Sequence, residues 1–127
     1  LIVTVVQVVF GTEVRETIDQ LNGQGVERAK WVDLLGSHFE IHTVLAYLTL
    51  VIIVIFFLLV KNRFSKHSLQ ARFSWILLIL VLIQMLSGIV LARFEVPPFA
   101  QTTHLVVASL FFGTQYYLML LMTKLKR

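Results

Sequence analysis

The sequence predicts an all-α membrane protein: a four-helix transmembrane bundle made of two repeated helical hairpins. Three observations predict it. Hydrophobic residues make up 57% of the 127-residue chain and charged ones only 14%, whereas a soluble domain of this length is about half apolar and a quarter charged. Such an excess cannot be hidden in one small water-soluble core. The apolar residues are gathered into long runs, and the basic residues fall between alternate runs. A soluble enzyme and a disordered chain are excluded. With no Cys, so are a disulfide scaffold, a thiolate metal site and an iron–sulfur cluster.

Taken in order, the first apolar run is Leu1 to Thr12. At 1.5 Å per residue it covers about 18 Å of a hydrocarbon core about 30 Å thick. It therefore reads as a truncated first helix (residues 1–12), the tail of a span whose start is missing. Residues 13–40 form an outer segment. Within it Val26, Trp31, Leu34 and Leu35 recur at near-helical spacing among charges, which predicts a short interfacial helix anchored by Trp31. Asn22-Gly23 and Gly25 mark the break before it. Full spans are predicted over 41–60, 73–92 and 102–123; the only titratable side chains in them that could bind a metal are His42 and His104. Alternating β-barrel strands of about ten residues are not present. The whole chain reads as one four-helix transmembrane domain, residues 1–127.

Charge orients it. Lys61, Arg63, Lys66 and Arg72 follow the second helix, and Lys124, Lys126 and Arg127 end the chain. The opposite side carries Glu13, Glu16, Asp19, Glu27, Asp33 and Glu40. The positive-inside rule puts the basic ends, including the C-terminus, in the cytoplasm. That accounts for the net charge of +4 with no nucleic-acid partner; the lipid bilayer is the partner it implies.

The pieces also match pairwise. Gln7-x3-Gly11 in the first helix parallels Gln84-x3-Gly88 in the third. His42-x-Val44-x-Ala46-x-Leu48 in the second parallels His104-x-Val106-x-Ala108-x-Leu110 in the fourth. Two copies of one hairpin in the same direction place a pseudo-two-fold axis along the membrane normal. His42 and His104 then sit level near the outer face, with Gly11 and Gly88 at about that depth. Two equivalent imidazoles facing a slot are what a bis-His haem needs. Gly allows close approach to backbone, and each imidazole needs a partner for its other nitrogen. Arg15, four residues past Gly11, and Arg93, five past Gly88, are placed to meet haem propionates; snorkelling at the interface is the plainer role for both. Packing is the plainer role for the glycines. Gln7 and Gln84 are read as bonding between helices. His38, one turn before His42, is the alternative ligand. His67 reads as solvated and Glu40 as a surface anion. Zinc fits less well than haem, with two ligands and no Cys.

The stretch Gln7-Val8-Val9-Phe10-Gly11-Thr12-Glu13-Val14-Arg15-Glu16 with Asp19 resembles the heme A synthase family. So do Glu40-Ile41-His42, Gln84-x3-Gly88 and Thr103-His104-Leu105. The likeness covers essentially the whole chain and is to the C-terminal half of the family. It implies a b-type haem cofactor (iron protoporphyrin) held between His42 and His104. It further implies an N-terminal four-helix half that oxidises haem O to haem A, with the catalytic Glu in that half. The family often has Arg directly after the helix-two His; here Thr43 stands there. The expected function is thus the haem-binding half of a membrane oxidoreductase of the bacterial inner membrane. Its expected partners are the other half or an equivalent subunit, and the terminal-oxidase assembly machinery. Two other classes stay open on the residues alone: a cytochrome b-type electron-transfer subunit of a respiratory complex, and a cofactor-free assembly or structural subunit.

Overall fold

The computed structural model describes residues 1–124; Lys126 and Arg127 of the basic C-terminus lie outside the described residues. Among those residues it has four α-helices and no strand: α1 (Ile2–Gly23), α2 (Ser37–Arg63), α3 (Leu69–Arg93) and α4 (Pro98–Lys124). Three of them, α2, α3 and α4, are long and apolar enough to cross a membrane, with mean hydropathies of 3.0, 2.6 and 1.7. Each runs a few residues past the apolar stretch that predicts it, because a helix started in lipid continues until a breaker stops it. Ser68 caps α3 by accepting from the Ala71 N–H at 3.1 Å. The chain is a multi-pass membrane protein.

α1 differs from the expected short piece. It runs on from Thr12 to Gly23 as a helix whose apolar stripe narrows to Val14, Ile18 and Leu21. Glu13, Arg15, Glu16 and Asp19 occupy its other faces. The i, i+4, i+7 spacing of that stripe is what sustains it outside lipid. It ends where Val26 N–H reaches back to the Leu21 carbonyl at 3.1 Å and Gly25 takes φ 72°, a left-handed position suited to Gly.

The expected interfacial helix is replaced by two single 3₁₀ turns, Arg28–Lys30 and Val32–Leu34. Trp31, between them, is not a lipid anchor. It is 4% exposed and donates its indole N–H to the Val26 carbonyl at 3.0 Å. The segment folds back over the helix ends, so its apolar side meets protein. Ile18, Trp31, Leu35 and Val96 form a small buried cluster there, here termed the cap.

A second cluster fills the middle of the bundle: Ile53 of α2, Leu77 and Val81 of α3, Phe111 and Leu118 of α4. α1 contributes nothing to it. Helices pack in chain order, α1 on α2, α2 on α3 and, most extensively, α3 on α4. Ser74 and Ser87 are buried on α3 and return their hydroxyls to carbonyls one turn back. Small residues let helices approach closely where lipid supplies no hydrophobic drive. The outward faces of α2, α3 and α4 are almost wholly apolar, as a bilayer requires.

Candidate functional site: a facing pair of imidazoles

His42 lies in the second turn of α2, and His104 in the second turn of α4. The helices bring the two rings together from opposite sides, with centroids 6.4 Å apart and planes inclined at 66°. An imidazole nitrogen bonds a divalent metal at about 2.0–2.1 Å, so rings at this spacing are within reach of one group shared between them.

The hydrogen bonds leave the correct nitrogens open. His42 Nδ1 lies 3.2 Å from the Gln7 carbonyl, which only accepts, so Nδ1 carries the proton. Ser87 Oγ donates to the Gln84 carbonyl at 3.0 Å and lies 2.8 Å from His104 Nδ1. With its own proton used, the hydroxyl accepts from His104 Nδ1–H. Both rings are thereby set in the tautomer whose Nε2 keeps a lone pair, the form that ligates a metal. The assignment follows from the network. No described group of three or more His, Asp or Glu side chains gathers to hold a metal by itself; the pair supplies two imidazole nitrogens.

Glycines give the rings their room. A Cβ at Gly11 would stand 3.0 Å from His42 Cε1, and one at Gly88 3.5 Å from His104 Cε1. Each imidazole therefore lies over the bare backbone of the preceding helix. Sequence spacing alone assigns these glycines to the porphyrin slot; in the structure their open faces are covered by the imidazoles. Gln7 also donates its side-chain N–H to the His42 carbonyl at 3.0 Å, an interhelical bond as expected. The side-chain carbonyls of Gln7 and Gln84 are both buried with no described partner.

The remaining sequence candidates divide. His38 Nδ1 lies 2.5 Å from Glu13 Oε2 and its ring is near Phe10, so it is turned to α1. Arg15 pairs with Asp19 at 3.2 Å and donates to Gln101 Oε1 at the start of α4. Arg93 is exposed at the end of α3 and makes no ion pair with a described residue. Ser87 joins the site without having been expected in it, and Gln101 and Arg28 meet beside it in the cap, both donating to the Val96 carbonyl. Ser87 has a signal in the sequence, its place one residue before Gly88 on a helix face that meets His104. Arg28 and Gln101 have none, because they meet only when the cap folds.

Residues 1–116 match the family model COX15-CtaA, described as cytochrome oxidase assembly protein. The chain belongs to this family, that of the heme A synthases. No curated protein and no solved structure shows a significant match to it. The match covers α1 to α3 and α4 as far as residue 116, and both imidazoles of this heme A synthase family member fall within it.

Proposed function

We propose that this chain is the haem-binding half of a heme A synthase-like membrane oxidoreductase, holding a b-type haem between His42 and His104. The observation that carries the reading is the pair itself: ring centres 6.4 Å apart, each Nδ1 already engaged. On this reading α1–α2 and α3–α4 are two copies of one hairpin. Gly11 and Gly88 let the Cε1 edge of each imidazole approach the neighbouring helix. Arg15 and Arg93 stand toward the outer edge for the anionic arms of the group.

The chain's own residues bind and orient. Gln7 and Ser87 fix ring rotation and raise imidazole basicity through the Nδ1 bonds. The cap cluster of Ile18, Trp31, Leu35 and Val96 keeps water from the histidine end. When bound, the haem supplies one-electron transfer, at a potential tuned by its axial ligands and burial. Oxidation of haem O to haem A belongs on this reading to a partner four-helix half. The basic loop after α2 and the basic end of α4 lie in the cytoplasm of a bacterial inner-membrane protein, and the cap lies outside.

The test is a visible spectrum of the purified chain. A b-type Soret band in the wild type, lost in both His42→Ala and His104→Ala while helical circular dichroism persists, supports the proposal. A colourless, folded wild type after haem is supplied rejects it.

A further inference from the structure

The cap carries a half-open surface cleft of about 200 Å³ bordered by Arg15, Asp19, Asn22, Arg28, Trp31 and Gln101, with Arg15, Asp19, Asn22 and Arg28 exposed to solvent. We propose that this cleft is a carboxylate site, with Arg28 as its charged centre, and that it receives an acidic arm of the group held by the histidines. This rests on the haem reading above for the source of the carboxylate, but the carboxylate site itself does not.

Charge comes first. Arg15 is balanced by Asp19, and Lys30 by Glu27 at 3.5 Å. Arg28 has no acidic partner among the described residues. The cleft therefore carries one uncompensated positive charge, which one carboxylate would neutralise. Geometry comes second. Arg28 is held in place by donating Nη1–H to the Val96 carbonyl at 3.0 Å and lying 4.8 Å over the Trp31 ring. That leaves most of its five N–H groups for a ligand, in a planar fork suited to a carboxylate. Gln101 donates to the same Val96 carbonyl at 2.9 Å, so its amide is also fixed.

Depth comes third. Arg15 is one helical turn past Gly11, the residue that faces His42. Gln101 is three residues before His104. At 1.5 Å per residue Arg15 lies about 6 Å and Gln101 about 4.5 Å along the helices from the level of the imidazoles. A short alkyl arm spans that distance. Arg93, which the sequence offers as the second cation beside Arg15, does not border this cleft; Arg28, brought in by the 3₁₀ turns, does.

Two titrations of the full chain in detergent test the site. In a Trp75→Phe background, sodium propanoate is added and Trp31 fluorescence followed. A saturable change, at least tenfold weaker in Arg28→Gln and partly kept in Arg28→Lys, supports the carboxylate site. No saturable change, or one equal in all three, overturns it. This arm needs no haem. In the second, haem and its dimethyl ester are titrated against the Soret band. The expected result is that Arg28→Gln weakens haem about tenfold, one charge-assisted bond's worth, and leaves the diester unchanged. Equal weakening of both ligands, or of neither, overturns the link to the cofactor arm. If neither ligand gives a Soret band in the wild type, the haem reading fails and the fluorescence arm alone decides whether Arg28 binds carboxylates.

Discussion

The two histidine seats do the same work with different parts. His42 rests on main chain: its Nδ1 meets the Gln7 carbonyl, and the Gln7 side chain returns a bond to the His42 carbonyl. His104 adds a side chain, the Ser87 hydroxyl, to the Gln84 backbone beside it. Clearance differs as well, since a methyl at Gly11 would stand 3.0 Å from its ring and one at Gly88 3.5 Å. The first seat is thus tight, and its acceptor is a group no substitution removes. The second is looser and combines the Gln84 backbone with an exchangeable hydroxyl. Ring tautomer is what both protect, and a carbonyl or a committed hydroxyl serves equally well.

The largest expected effect is removal of either ring. His42→Ala and His104→Ala should each abolish a six-coordinate low-spin spectrum, leaving at most a five-coordinate species; a variant that keeps the low-spin spectrum breaks the pairing. Next comes Gly11→Ala. The added methyl crowds an imidazole held on two sides, and overpacking of this kind costs about 1–3 kcal/mol. Haem affinity, read from Soret titration, should fall by about tenfold. Gly88→Ala meets only ordinary contact and should leave affinity within about threefold, since contacts near 3.5–4.0 Å are favourable. Equal losses at the two glycines would erase the difference in clearance.

Ser87→Ala is the third test. It strips the hydroxyl acceptor from His104 Nδ1–H and leaves the Gln84 backbone as the remaining partner, at a cost of about 1 kcal/mol. A less basic imidazole stabilises the oxidised iron less, so the reduction potential should rise, as potentiometry would show. The smallest effect is Gln7→Leu. It removes one interhelical bond worth about 1 kcal/mol while the main-chain carbonyl under His42 stays. A few degrees off Tm with an unchanged potential is the expected result; a shifted potential would mean that the first seat needs its side chain after all.

How much of this is legible in the sequence follows from how far apart the interacting residues lie. The three spans announce themselves because about 20 consecutive apolar residues have no other stable use. The imidazole pair is readable because His42 and His104 open helices in matching local contexts. α1 beyond Thr12 escapes such a reading where its pattern changes from a lipid run to the narrow stripe Val14, Ile18, Leu21. Trp31 misleads for a different reason. A Trp among charges looks interfacial locally, and only the fold brings Val96, 65 positions away, to cover it. Arg28 and Gln101 are hidden the same way, through one shared carbonyl.

That carbonyl belongs to Val96, whose backbone is left-handed at φ 55° beside Glu95 at 59°. For a β-branched residue this conformation costs about 1–3 kcal/mol. Val96 is also 3% exposed inside the cap, and burying such a side chain returns about 1.5–3 kcal/mol. The two quantities nearly cancel, so Val96→Gly should relieve the torsion and open a void at almost no net change in melting. The corner between α3 and α4 is thus set by what surrounds Val96 and by no turn preference of its own.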